Sequence, residues 1–207
     1  SLYTAANSPS APTVNTPSIS TLKVILDVNS NSASTEFAIQ ETSSGNYVQT
    51  NGSLSVSAAW QTYTNWGGAS GVTVSGLSSN VQYTFKVKAR NGDSTETAFG
   101  STSILATAAN VPSTPTFTNF TINTLDVILG LNGNPASTEF SIRENSSEQY
   151  AQTSGLFSVG EVFQTYLQWG GSSGKTLLNL LADTLYTFFI KARNLDRVET
   201  SAVSFTS

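Results

Sequence analysis

The chain has 207 residues, 11% of them charged, with a net charge of −4 and no Cys, His or Met. Its few Lys and Arg form no cluster that could neutralise a phosphate backbone, which excludes nucleic acid as an expected partner. Without His or Cys there is no imidazole base, thiol nucleophile or ordinary zinc site, and no apolar run approaches the ~18 residues of a membrane-crossing helix.

In chain order, Leu2 to Ala6 opens the sequence and is followed by Pro9 and Pro12. Leu22-Lys23-Val24-Ile25-Leu26 alternates and predicts a strand with Leu22, Val24 and Leu26 on one face. Phe37-Ala38-Ile39 resumes the pattern after a turn over Asn29 to Ser34. Turn residues follow at Ser44-Gly45-Asn46, Asn51-Gly52 and Gly67-Gly68, around an aromatic stretch that contains Trp60, Tyr63 and Trp66. Tyr83, Phe85, Val87 and Ala89 then alternate with Thr84, Lys86, Lys88 and Arg90, which gives one apolar and one polar face. No segment carries a helical period.

The same order then recurs. Displacing the sequence by 103 positions lays Pro12 to Ser101 on Pro115 to Ser204 without a gap, with about half the positions identical. The domains read as 9–109 and 110–207, preceded by a short segment, 1–8. Many short strands with regular turns predict two antiparallel sandwiches.

Val74-Ser75-Gly76-Leu77 followed by Tyr83 to Asn91 resembles strands E and F of a fibronectin type III domain. Leu77 before Tyr83, and Leu180 before Tyr186, match that family's tyrosine-corner spacing, and Pro9, Pro12, Pro112 and Pro115 stand where such domains begin. The resemblance implies an all-β chain of two tandem seven-stranded sandwiches and a secreted or cell-surface setting; by itself it implies little about function. The family's strand-B Trp is missing, and Leu26 and Leu129 stand in its place.

Two readings of Trp66 and Trp169, each in a Trp-Gly-Gly sequence, follow from that departure. They fill the cores in place of the strand-B Trp, which is preferred because both copies keep the same residues and loop lengths. Alternatively they form a sugar platform, with polysaccharide as a partner. Glu36, Glu41, Asp93 and Glu96 recur as Glu139, Glu144, Asp196 and Glu199, and this duplication points to structural or turn-capping carboxylates rather than catalysis. No catalytic residue, metal ligand or cofactor is expected. Asn51, Asn119 and Asn145 stand in glycosylation sequons, near the number chance gives this composition.

The differences between repeats point to an interface. Ser75, Gln82, Lys86, Gly100 and Thr102 become Leu178, Leu185, Phe189, Val203 and Phe205, which reads as an apolar lateral face on repeat 2. The termini suggest assembly. Leu2, Tyr3, Thr4, Ala5 and Ala6 lie, by the same displacement, on Leu105 to Ala109 at the end of repeat 1. Repeat 2 stops at Ser207, short of its own copy of that segment. Leu2 to Ala6 is therefore expected as a strand donor, and the edge marked by Tyr186, Phe188, Ile190 and Ala192 as the acceptor on another copy, which gives a head-to-tail homopolymer. The competing expectation is a spacer or carbohydrate-binding module from a longer array of such domains.

Overall fold

A computed structural model of the protein describes residues 2–207. The chain divides into two compact units, one running to Thr107 and the other from Ala108 to Ser207. The opening segment 2–8 belongs to unit 1, and Ala109 lies in the core of unit 2.

Unit 1 has nine strands: β1 Thr13–Asn15, β2 Thr21–Ile25, β3 Glu36–Glu41, β4 Tyr47–Val48, β5 Leu54–Ser55, β6 Gln61–Thr62, β7 Val72–Ser75, β8 Gln82–Arg90 and β9 Ser103–Ala106. Unit 2 repeats them as β10 Ser113–Thr118, β11 Leu125–Gly130, β12 Glu139–Glu144, β13 Tyr150–Ala151, β14 Phe157–Ser158, β15 Gln164–Thr165, β16 Lys175–Leu177, β17 Thr187–Arg193 and β18 Val203–Thr206. Each unit has a three-stranded sheet, β1-β2-β7 or β10-β11-β16, and a six-stranded sheet, β5-β4-β3-β8-β9 or β14-β13-β12-β17-β18, with β6 or β15 pairing beside β3 or β12. All pairings are antiparallel. Seven strands make the expected sandwich. The two extra ones, β5 and β6, come from the long aromatic stretch before β7.

Alternation explains the layers. Leu22, Val24 and Val74 from the small sheet meet Phe37, Ile39, Phe85, Val87 and Ala89 from the large one, and all are buried. Leu125, Val127 and Leu177 meet Phe140, Ile142, Phe188, Ile190 and Ala192 in unit 2. Burying each such side chain contributes about 1.5–3 kcal/mol. The tyrosine corner closes both units: Ser78 N–H donates to the Tyr83 hydroxyl at 2.9 Å, and Leu181 N–H donates to that of Tyr186 at 2.7 Å.

The units differ at the last strand. In unit 1, Gly100 N–H donates to Val87 O at 2.9 Å, yet further along Phe85 stands opposite Ser103. Between these points β9 uses one residue more than β8, which is a bulge. In unit 2, Ile190 faces Val203 and Phe188 faces Phe205 without that extra residue. The sequence displacement would have put Thr206 opposite Phe188. A one-residue change of register exchanges the two faces of a strand, and here it turns Phe205 inward against the core.

Candidate functional site

The end of each unit where the last strand leaves the sheet holds the clearest contrast between the two copies. In unit 1, Ala106 pairs with Gln82, and Thr107 N–H donates to Val81 O at 3.0 Å. The Thr107 hydroxyl donates to Ser78 O at 2.6 Å and accepts from Val81 N–H at 3.1 Å. Thr107 is fully buried, so it stitches the β7–β8 connection to the strand leaving the unit. In unit 2 the corresponding space is a 440 Å³ slot lined by Phe120, Leu181, Asp183, Thr184, Leu185, Tyr186 and Ser207, among others. Its rim is apolar, with Phe120, Leu181 and Leu185 63%, 72% and 75% exposed. Unit 1 carries Pro17, Ser78 and Gln82 at those positions.

The expected acceptor is therefore narrower than the β17 edge. From Thr187 to Ile190 that edge is paired with β18, and Ser207 N–H donates to Tyr186 O at 2.9 Å. Thr200 N–H reaches Ala192 O at 2.8 Å. Tyr186, Phe188, Ile190 and Ala192 thus already meet chain from their own unit, and their side chains point inward. Only Thr184 and Leu185, whose counterparts bond Thr107 and Ala106, lie beyond the pairing.

The expected donor rests on its own unit without forming a strand. Tyr3 N–H donates to Asp93 at 2.7 Å, and Asn91 Nδ2 donates to Thr4 O at 3.0 Å. The Tyr3 ring crosses Gly92 so closely that a Cβ there would lie 2.4 Å from it; unit 2 has Leu195 at that position. Asn31 forms a two-way amide pair with the backbone of Asn7, accepting at 2.8 Å and donating at 2.8 Å. Asn134 holds the backbone of Asn110 in the same way. Ala6 packs against the core, whereas Leu2 is 98% exposed.

The sugar-platform reading of Trp66 and Trp169 is overturned. They are 2% and 1% exposed, and their indole N–H groups donate to Phe37 O and Phe140 O at 2.8 Å. Gly67 and Gly170, at φ 89° and 87°, make the reversal that turns each ring inward; a Cβ on Gly67 would lie 2.4 Å from Gly71 O. Buried indoles with paired N–H groups are core residues.

The lateral face also divides. Phe205 points toward the core through the register change described above, and Val203 shares its face by standing opposite the buried Ile190, as Gly100 stands opposite Val87, which corrects the expectation that the two face outward. Leu185 lines the end slot, Leu178 is half-buried beside Gly155, and Phe189 lies on the outer face of the large sheet. They do not line a common recess.

That outer face carries stacked cations and rings. In unit 1, Lys86 Nζ lies 4.2 Å from the Phe99 ring centroid, and Lys88 Nζ lies 5.2–5.6 Å from those of Trp60, Phe99 and Tyr47. Arg90 lies over Trp60 at 4.6 Å and pairs with Glu36 at 2.6 Å. In unit 2, Arg193 and Lys191 lie over Phe163 at 4.1 and 5.4 Å, and Arg143 lies over Phe189 at 5.2 Å. Burial opposes the charge on Lys191, but hydrogen bonds and attraction from Glu199 and Glu161 outweigh it and raise its pKa.

The recurring carboxylates are tied into the fold. Glu36 and Glu139 pair with Arg90 and Arg193, and Glu96 and Glu199 with Lys88 and Lys191. Glu41 is buried and accepts from Ser43 N–H at 2.9 Å, Ser44 N–H at 2.8 Å and Ser44 Oγ at 2.7 Å. Glu144 accepts from Ser146 and Ser147 N–H at 2.8 and 2.7 Å. Burial works against ionisation of both, but these hydrogen bonds prevail and hold each carboxyl below its ordinary value.

Sequence reasoning missed the role of Thr107 and the parts that Phe120, Leu181 and Thr184 play in lining the end slot of unit 2. Their signal lay in the comparison of repeats, where Pro17, Ser78 and Val81 give way to those residues.

No family model and no curated protein matches the chain. Among solved structures, it is similar to a two-domain fibronectin type III segment of chicken tenascin, with TM-score 0.55 and 15% identity over 97% of this chain and 99% of that one. It also aligns with the FN1–FN3 domains of chicken CNTN1, at TM-score 0.35 and 15% identity, over 98% of this chain and 68% of that one. At such identity the tenascin likeness speaks for architecture alone, and with the two sandwiches and their tyrosine corners it establishes that this chain has the fold of two tandem fibronectin type III domains.

Proposed function

We propose that this chain is a non-enzymatic structural element of an extracellular or cell-surface array. In this reading the end slot of unit 2 accepts a Leu-x-Thr segment and joins copies head to tail. The observation that carries the reading is the repeated segment: Leu2 and Thr4 match Leu105 and Thr107, and Thr107 is buried at the end of unit 1, where unit 2 has an apolar-rimmed slot. Thr4 would bond Thr184 and Leu181 as Thr107 bonds Val81 and Ser78, while Leu2 would meet the apolar rim. A contact through so few residues falls well short of the roughly 1,200 Å² of a stable interface, so the joint is concentration-dependent and reversible. Donation also exchanges the bonds that hold Tyr3 and Thr4 to Asp93 and Asn91.

One observation favours a second reading. The β17 edge is already paired down to Tyr186, which suits a spacer whose slot is closed by chain following Ser207. The setting outside the cell rests on the name of the tenascin neighbour and on the general use of the fold. Light scattering and electron microscopy of residues 1–207 over a concentration series separate the readings. Linear oligomers that disappear when residues 1–8 are deleted support strand donation. A monomer at every concentration, or oligomers that survive the deletion, rejects it.

A further inference from the structure

On the outer face of the large sheet, the two copies differ by one missing ring. Phe99 of unit 1 lies over the sheet with the Lys86 and Lys88 ammonium groups at 4.2 and 5.4 Å from its centroid. Its counterpart in unit 2 is Ala202. A 220 Å³ groove opens there, lined by Ser141, Arg143, Tyr150, Phe189, Lys191 and Ala202. Five of these correspond in sequence to Ala38, Gln40, Tyr47, Lys86 and Lys88, and the sixth, Ala202, to Phe99 itself. The groove is the place of the Phe99 ring with the ring removed.

We infer that this groove of unit 2 is a docking site for an aromatic side chain presented by a partner polypeptide. Three observations select that occupant. First, unit 1 shows what the surface accepts, because a phenylalanine of its own chain covers the equivalent place. Second, the volume is below the roughly 300 Å³ at which pockets for whole small ligands begin, and suits a single side chain. Third, one of the two cations beside the ring in unit 1 is retained: Lys191 corresponds to Lys88, 5.4 Å from the Phe99 centroid, and is held by Glu199 at 2.6 Å and Glu161 at 3.0 Å, while the nearer Lys86 gives way to Phe189. An incoming ring would gain cation–π attraction from Lys191, as Phe99 has from Lys88, while Phe189 and Tyr150 supply aromatic walls. Phe189 itself replaces Lys86, which makes the vacated groove more apolar than its filled counterpart.

The test uses the whole chain and N-acetyl-phenylalanine amide as probe, with binding read by NMR shifts of Tyr150, Phe189, Lys191 and Ala202. The proposal expects saturable shifts confined to unit 2, and binding weakened about tenfold or more by Ala202→Phe, which restores the ring in cis. Unit 1 already carries that residue at the equivalent place, so the variant is expected to fold, and an unchanged thermal transition checks this. The reciprocal change, Phe99→Ala, should create matching shifts at Tyr47 and Lys88. Equal binding of N-acetyl-leucine amide, equal binding to Ala202→Phe, or shifts with a soluble glucan but none with the phenylalanine probe would each overturn the inference.

Discussion

Replacing Trp66 with Ala distinguishes a core residue from a surface platform. The side chain is 2% exposed, packs within the unit 1 core and donates its indole N–H to Phe37 O at 2.8 Å. Truncating a buried Trp costs about 3–5 kcal/mol through lost transfer energy and an unfilled cavity. The lost bond adds to this, because the Phe37 carbonyl loses a donor inside the core. A domain of this size has only about 5–15 kcal/mol of stability in total. At about 4–8 °C per kcal/mol for a domain of roughly 100 residues, the unit 1 transition should fall by at least about 12 °C. Differential scanning calorimetry of the whole chain measures this, and Trp169→Ala should lower the unit 2 transition by a similar amount. A shift under about 5 °C in either variant would refute the reasoning, since a surface ring can be truncated at little cost.

Glu41 and Glu144 make stability depend on acid. Their carboxyls are held below the ordinary value in the fold, so ionised glutamate contributes fully above the unfolded value near about 4.3, and the contribution is lost as pH falls through the folded-state value. Thermal unfolding between pH 6 and pH 2.5 should therefore show a shallower acid limb in the Glu41→Gln/Glu144→Gln double variant, with lower stability at pH 6. Gly67→Ala should cost more than about 1 kcal/mol, because its left-handed conformation leaves a Cβ 2.4 Å from Gly71 O; urea midpoints report this. Tyr83→Phe and Tyr186→Phe remove the corner hydrogen bonds and should each cost about 0.5–1.5 kcal/mol in urea unfolding, without changing the fold by circular dichroism.

The sandwich was legible in the sequence because its determinants are local. The alternation through Leu22-Lys23-Val24 and Tyr83 to Arg90 sets which side of each strand is apolar, and strand geometry does the rest. Turn residues and the duplicated order placed the strands in two copies. The carboxylate roles were also readable, since a pair that recurs with its surroundings tends to serve the fold.

The site was less legible, because it depends on register and closure. Pattern alone could assign Trp66 to a core or to a surface; the positive-φ glycine after it and the carbonyl that receives its indole N–H decide for the core. Sequence displacement set Phe205 beside Thr102 and facing outward, but the bulge that unit 1 has and unit 2 lacks moves β18 by one residue and turns that ring inward. Alternation has a period of two, so a one-residue bulge, which forms in one copy and not the other although the repeats align without a gap, reverses a face. The sequence by itself therefore determined the two sandwiches and the sides of their long strands. Only the tertiary structure decided which edges are already paired, that Phe120, Leu181 and Leu185 meet at one end of unit 2, and that the place of the Phe99 ring is vacant in the second copy, because these depend on residues brought together from distant strands.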